Sequence, residues 1–221
     1  MHRLASIPGG GAAADIGALV EQPAAPVLLL SSADTDLLAI DQLLEREPQL
    51  LRAELRGLNL AALAHPAQID HYLNSTVRHA RLVVVRLLGG RGHWSYGLEQ
   101  LQSWASSAPG RQLLVLAGTA DEEQVLAGLG TVDPDLAIGL ARCLREGGPA
   151  NLLQLLQALQ GLVEGGSPVP PRAEPLADPL LHDWLQEPGP RVGVIAYRAL
   201  LQAGDLALMD ATLLALRQAG L

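Results

Sequence analysis

Short apolar runs alternate along the chain with segments whose apolar residues recur at helical spacing. The runs have the length of strands, and the one after Arg81 is rich in valine, which is typical of a parallel strand buried on both faces. The pattern predicts strands over residues 26–30, 53–60, 81–88 and 112–117. It predicts helices over residues 34–45, 66–79, from the glycine-rich segment to Ser106, 134–145 and 150–163.

This alternation with short connections predicts an α/β fold, a doubly wound parallel sheet flanked by helices. The domain is predicted to span residues 26–165, after a flexible N-terminus over 1–25, and a stretch rich in Pro and Gly predicts a linker over 166–190. Residues 191–196 have a strand pattern and 205–218 a helical one. One strand and one helix cannot bury their own apolar faces, so residues 191–221 either complete the first sheet or begin a second, truncated α/β domain. The linker favours the second domain.

The charge pattern excludes two classes of function. All 15 basic residues are arginine, against 23 acidic residues, and the formal net charge is −8. Because phosphate binding needs a clustered basic surplus, no nucleic-acid partner is expected. The absence of lysine from the sequence excludes a Schiff-base lysine and a P-loop lysine.

Targeting signals and cysteine content bear on localisation. The first 25 residues lack a signal-peptide pattern and no apolar stretch has membrane-spanning length, so we expect a cytoplasmic protein without a membrane partner. Cys143 is the single cysteine, which suits a reducing compartment. It falls within a helical pattern, where we expect it to act as a small buried hydrophobe.

The segment LLGGRGHWSYGLEQL follows the third predicted strand. It contains neither a Walker A motif nor a complete G-x-G-x-x-G fingerprint, so it does not predict nucleotide binding. Instead, Arg91, His93, Trp94 and Tyr96 lie within six residues. An arginine beside aromatic rings suits a flat ligand that carries carboxylates. The alternative is a turn that packs its own aromatic rings on the rim of the sheet, and the pattern alone leaves both open.

The carboxyl ends of parallel strands meet at one edge of a sheet, here named the crest. We therefore expect the loops 31–34, 89–96 and 118–121 to lie together, although Ser31, Ser32 and Asp34 are also ordinary helix N-cap residues. No nucleophile elbow is present, and His71 and His79 are too far apart on a helix to share an ion. No metal centre built by this chain is expected, since no metal-ligand spacing occurs.

Several segments together resemble one family. They are Asn59-Leu60, His65-Pro66, Asp70-His71-Tyr72, VVVRLLGGRGHWSYGLEQL, Glu146-Gly147-Gly148 with Asn151, and the last thirty residues with Tyr197, Arg198, Leu200, Gly204 and Asp210. The series resembles the N-terminal region of the cobaltochelatase large subunit, in the family that also includes the tetrapyrrole-binding large subunit of magnesium chelatase. The likeness runs from about Val27 to the end, and Arg86 to Leu101 is its most specific part. The turn from Gly118 to Asp121 departs from the family's acidic Pro-Gly-Asp pattern, so no acidic role is carried over to it.

The resemblance implies a part in aerobic cobalamin synthesis. In that reaction ATP drives the insertion of cobalt into a corrin ring, hydrogenobyrinic acid a,c-diamide. The large subunit holds ring and metal, and ATPase and adaptor subunits supply the energy. The implied partners are therefore a corrinoid, those subunits and later domains of the same subunit. No cofactor is expected on this piece, and cobalt and ATP-magnesium serve the whole complex.

The family's large subunit is several times longer than this chain, so the piece is expected to be inactive alone and no catalytic residue is assigned to it. A rim that contacts tetrapyrrole or the subunit's own later domains is predicted from Gly89, Gly90, Arg91, His93, Trp94 and Tyr96. Two alternatives stay open. The chain could belong to a magnesium chelatase large subunit, or it could be a stand-alone corrinoid-binding module without catalysis.

Overall fold

The computed structural model describes residues 18–177, 180–182 and 190–221. Within them, a parallel four-stranded sheet has the order β2-β1-β3-β4. Leu30 lies beside Leu58 of β2 and Val85 of β3, and Val85 lies beside Val115 of β4. The strands are β1 (Val27–Ser31), β2 (Leu55–Asn59), β3 (Leu82–Leu87) and β4 (Gln112–Ala117). All four strands predicted for the first domain are present.

Helices follow the strands in the predicted alternation. The described α-helices are α1 (Asp34–Arg46), α2 (Pro66–Ser75), α3 (Ser95–Ser106), α4 (Glu123–Ala127), α5 (Pro134–Glu146), α6 (Pro149–Val163), α7 (Arg198–Ala203) and α8 (Ala207–Gln218). Short 3-10 turns lie at Pro48–Leu50, Leu60–Leu63, Val77–His79 and Arg91–Trp94. The helix predicted over 66–79 ends early, where Thr76 is fully buried and its hydroxyl donates to the carbonyl of Gln22 at 3.0 Å. The sequence did not predict α4, because five residues are too few to show a helical period.

The two faces of the sheet are buried by different helices. Leu29 and Val84 belong to a core cluster that includes residues of α1, α5 and α6. Leu28 and Val83, one residue along each strand, belong to a second cluster with residues of α2 and α3. Because strand side chains alternate between faces, continuous apolar runs are what a sheet covered on both sides requires. The prediction of an α/β fold with helices flanking a parallel sheet is confirmed.

Local capping fixes where α2 begins. The ring Nδ1 of His65 accepts from the backbone N–H of Ala67 at 3.2 Å, and the Gln68 side chain accepts from the backbone N–H of His65 at 3.0 Å. Pro66 occupies the first turn, where a missing N–H costs nothing. His65 therefore serves the helix start.

The predicted flexible N-terminus includes residues that the structure anchors. Gln22 donates from Nε2 to the carbonyl of Gly57 at 3.0 Å and accepts from the Tyr72 hydroxyl at 2.6 Å. Ala25 is buried. Residues 20–25 are thus held against β2 and α2, while residues 1–17 lie outside the described residues.

The predicted linker crosses the outer helices. Asn151 and Glu174 exchange two hydrogen bonds of 2.8 Å, from the side-chain amide of Asn151 and from the backbone N–H of Glu174. Pro171 lies so close to Gly139 of α5 that a Cβ there would come within 2.7 Å of its carbonyl oxygen. The described part of this segment is therefore an extended crossing, and residues 178–179 and 183–189 lie outside the described residues.

The strand predicted over residues 191–196 does not form, and this prediction was wrong. These residues have no ladder partner among the described strands, and Ile195 is 100% exposed. An alternating β-branched pattern forms a strand only where a neighbour supplies hydrogen bonds and a face to cover. The helix predicted over 205–218 is α8, whereas α7 was not predicted. The division into a second domain stays a prediction.

Candidate functional site

The loops that follow β1, β3 and β4 lie together at the crest, as predicted. The backbone N–H of Ser32 donates to the carbonyl of Arg86 at 3.1 Å, and that of Gly118 donates to the carbonyl of Leu87 at 2.7 Å. A Cβ on Gly118 would come within 2.3 Å of the Leu88 side chain. Backbone hydrogen bonds and close packing thus join these loops into one surface.

The turn after β3, residues 89–96 (the crest loop), depends on glycine and on a carboxylate from the next loop. Gly89 and Gly90 have φ of 108° and 74°, which L side chains rarely adopt. The backbone N–H of Arg91 donates to the Glu122 carboxylate at 3.1 Å, and a Cβ on Gly90 would lie 2.3 Å from that carboxylate. Glu122 itself has φ of 60°. A donor that a bound phosphate would need is therefore taken by the protein's own carboxylate.

The two large aromatic side chains of the crest loop are turned toward the protein. Trp94 is 8% exposed, and its indole N–H donates to the carbonyl of Leu63 at 2.9 Å. A Cβ on Gly97 would come within 2.3 Å of the indole ring. The hydroxyl of Tyr96 donates to the Asp70 carboxylate at 2.7 Å, and this bond, followed by burial, raises the pKa of Tyr96. Both rings therefore hold α2, α3 and the crest loop together.

Among the six predicted rim residues, the exposed side chains are those of Arg91 and His93. The structure thus places the six predicted rim residues in one loop, but their side chains differ in how deeply they are buried. Trp94 packs inward, Tyr96 is half-buried, and Arg91 and His93 face solvent. Contact of this rim with a ligand or another domain stays a prediction, and any such contact would be made by the exposed pair.

A charged network that the sequence did not single out lies between β1 and β3. Ser31, Asp36 and Arg86 are each at least 94% buried. The Ser31 hydroxyl donates to one carboxylate oxygen of Asp36 at 2.5 Å, and the Arg86 guanidinium donates to the other. The available signal was Arg86, a charged residue inside an otherwise apolar strand, since a buried charge needs a partner.

The helix N-cap interpretation of this loop needs correction. Ala33 is the N-cap of α1, and no side chain caps it. Ser31 accepts from the backbone N–H of Ala33 at 3.0 Å, while Asp34 accepts from the side chain of Asn59 at 2.6 Å. The polar residues after β1 therefore join strands and loops at the crest rather than capping the helix.

Two further groups have shifted pKa values. Cys143 is fully buried, as predicted, and burial raises the pKa of its thiol to about 11. Burial alone would raise the pKa of Glu123, but hydrogen bonds from Arg142 and Arg145 outweigh it, and that pKa lies below its ordinary value. Glu123 is therefore a carboxylate shared by two arginines.

Among the residues that the structure describes, neither a metal-binding cluster nor a membrane-spanning helix is found. Across residues 18–177, 180–182 and 190–221, His, Cys, Asp and Glu form no group of three that could hold a metal ion. In the same residues, every helix is too short or too polar to cross a bilayer.

Comparison with known proteins gives a consistent result. The chain is 32% identical over 240 residues to the aerobic cobaltochelatase subunit CobN of Sinorhizobium sp., a match that covers 97% of this chain and 18% of that protein. It is 30% identical over 221 residues to the CobN of Pseudomonas aeruginosa, covering 94% of this chain and 17% of that one. No family model matches the chain.

A solved structure agrees with the sequence matches. The catalytic subunit of cobaltochelatase from Mycobacterium tuberculosis superposes with a TM-score of 0.59 at 27% identity, over 90% of this chain and 16% of that one. The chain thus spans less than a fifth of the length of each of these relatives. The resemblance to the N-terminal region of the cobaltochelatase large subunit is confirmed, and the chain belongs to the CobN family.

Proposed function

We propose that this chain acts as part of the large subunit of an ATP-dependent cobaltochelatase, which inserts cobalt into the corrin ring of hydrogenobyrinic acid a,c-diamide. The observation that carries the proposal is the match to two CobN subunits over nearly the whole chain, at 32% and 30% identity. Cobalt is the substrate metal of the whole complex, and ATP-magnesium belongs to its ATPase subunit. The adaptor subunit and later parts of the large subunit are the other proposed partners.

Within that complex we assign this region a recognition role. Arg91 and His93 are exposed on the crest loop, and a guanidinium forms charge-assisted hydrogen bonds with carboxylates such as those at a corrin edge. Trp94 and Tyr96 hold that loop rigid through their bonds to α2 and the turn before it. A rigid loop loses little conformational entropy when it binds, which favours a preformed contact.

A chimera tests the proposed function. The region of a working CobN that matches this chain is replaced by residues 1–221, and ATP-dependent cobalt insertion is measured with the ATPase and adaptor subunits present. Restored insertion supports the proposal. A chimera that binds both subunits but inserts no cobalt contradicts it.

A titration of the chain with a metal-free corrinoid tests the recognition role. We expect saturable quenching of tryptophan fluorescence, and about tenfold weaker binding for Arg91→Gln, because a hydrogen bond to a charged group contributes roughly 1.5–3 kcal/mol. Arg52→Gln is the matched control, since Arg52 is also exposed but precedes β2 at the opposite edge of the sheet. Equal losses in both variants would point to general charge attraction and contradict a site at the crest loop.

If the chain alone binds corrinoid and the chimera is inactive, a binding module without catalysis is favoured. If it binds only a magnesium-chelatase porphyrin, the magnesium branch is favoured.

A further inference from the structure

A cavity of about 80 Å³ lies at the crest between β1 and β3. In the strand order β2-β1-β3-β4, the chain moves one way from β1 and the other way from β3, so this is the switch point of the sheet. Ligands of doubly wound proteins bind in the crevice at that point. The cavity is lined by Asp36, Arg86, Arg145 of α5, Leu152 of α6, and Gln202 and Ala203 of α7.

α7 forms one side of the cavity. The side-chain amide of Gln202 donates to the carbonyl of Arg145 at 2.7 Å, and the Gln202 carbonyl accepts from the backbone N–H of Gly148 at 3.0 Å. Gly147 has φ of 68°, and a Cβ there would come within 2.6 Å of Gln202. Only glycine permits this close approach between the α5–α6 turn and α7.

Two of the residues that line the cavity, Arg86 and Arg145, each carry one N–H group without a partner. Arg86 Nε and Arg145 Nη1 are buried with no hydrogen-bond acceptor, although other nitrogens of both side chains are paired. A buried unsatisfied donor costs about 1–3 kcal/mol, and more for a charged group. Both guanidinium groups therefore have hydrogen-bonding capacity that the chain's own acceptors leave unused.

The charges around the cavity favour an anion. Arg86 pairs with Asp36, while Arg142 and Arg145 share the single carboxylate of Glu123. Arg198, the first residue of α7, pairs with Glu146, the last residue of α5, at 3.1 Å. The group thus has four arginines and three carboxylates, which leaves one positive charge. The burial of Arg86 and Arg145 partly shields that charge from water.

We propose that this cavity binds one small oxyanion, a phosphate or carboxylate group, between Arg86 and Arg145 beneath α7. A water molecule needs roughly 10–15 Å³ of cavity volume, so the space holds several waters or one such group. The inference rests on the geometry of the cavity and not on the proposed function, and anion binding and cobalt insertion are measured separately.

The test is calorimetric titration of the chain with inorganic phosphate and with acetate, at constant ionic strength. We expect saturable binding of at least one anion and at least about tenfold weaker binding for Arg145→Gln, since a charged hydrogen bond is lost. Arg142→Gln is the matched control, because it removes the other guanidinium from Glu123 without touching the cavity. Its affinity should change less than about twofold.

Arg145 is the better target because Arg86→Gln would leave the buried Asp36 charge without its partner and endanger folding. Absence of binding by either anion would overturn the inference and leave the cavity filled by water. Binding that is equal in wild type and Arg145→Gln, or equally weakened in both variants, would place the anion elsewhere and also overturn it.

A second arm separates the sources of the oxyanion. Phenyl phosphate and phenylacetate carry the same groups on a larger body. If they bind as tightly as the simple anions, the site receives a side group of a larger molecule. If only the simple anions bind, the ligand is a free ion held beside α7.

Discussion

The crest loop and the switch-point cavity lie on the same edge of the sheet but differ in how their polar groups are satisfied. In the crest loop, the Arg91 backbone N–H, the Trp94 indole and the Tyr96 hydroxyl each have an acceptor inside the chain. In the residues that line the cavity, Arg86 Nε and Arg145 Nη1 are buried without one. Glycines and aromatic residues made the crest loop conspicuous in the sequence, whereas the sequence alone does not show that donors of Arg86 and Arg145 lack a partner.

The difference bears on ligand binding. The crest loop is held rigid by hydrogen bonds within the chain, whereas the residues that line the cavity keep donors without an acceptor. A loop whose donors are already paired gains little from a ligand there, so its recognition must use the exposed Arg91 and His93. A cavity lined by side chains whose donors are incompletely paired has hydrogen-bonding capacity left for a ligand. The following predictions test this contrast, from the largest expected effect to the smallest.

Trp94→Ala should lower the free energy of unfolding by about 3–5 kcal/mol, as expected for removal of a buried tryptophan. Trp94→Phe keeps an aromatic ring but leaves the Leu63 carbonyl without its donor and should lose less. Urea denaturation measures both. Unchanged stability together with lost corrinoid binding in Trp94→Ala would mean that the indole serves a ligand, and the contrast would fail.

Gly97→Ala should cost about 1–3 kcal/mol, because its methyl group would overlap the Trp94 ring at 2.3 Å. Gly92→Ala is the control in the same segment, since nothing lies within 4 Å of a Cβ there. Its effect should stay within about 0.5 kcal/mol. Similar unfolding midpoints for the two variants would show that the indole does not pack on Gly97.

Acid should weaken the Glu123 cluster beside the cavity. The folded pKa of Glu123 lies below its unfolded value near 4.5, so its contribution is present above that pH and is lost as pH falls through the folded pKa. Arg142→Gln should flatten the pH dependence of the melting temperature below pH 5, by no more than the roughly 0–1 kcal/mol of an exposed pair. A wild-type slope retained in that variant would contradict the sharing of Glu123.

Tyr96→Phe should give the smallest change. Because the hydrogen bond to Asp70 and burial raise the pKa of Tyr96, its contribution is complete below the unfolded pKa of 10 and is lost as pH rises through the folded value. Ultraviolet titration of phenolate formation in wild type and variant reports this late-titrating group. A Tyr96 that ionises at its ordinary pKa would show that the bond to Asp70 is not made.

The sheet could be predicted because parallel strands buried on both faces leave long apolar runs, as residues 82–87 do. The segment over 191–196 has a similar local pattern and forms no strand, since a strand also needs a partner that local sequence does not specify. The family resemblance was detectable because its motifs are local. Pairings between distant residues were not, among them Arg91 with Glu122 and Trp94 with Leu63. Arg86 alone gave a usable signal, a charge within an apolar strand.

Because α7 lies late in the chain, the cavity gains its last wall late during synthesis. Ribosomes release the four strands and α1 to α6 well before Gln202, and domains fold as their segments emerge. The switch-point crevice therefore exists first as a wider cleft, with Arg86 and Arg145 on its walls, and α7 adds its last side. Any contact that a ligand makes with Gln202 and Ala203 can form only after this last helix has docked.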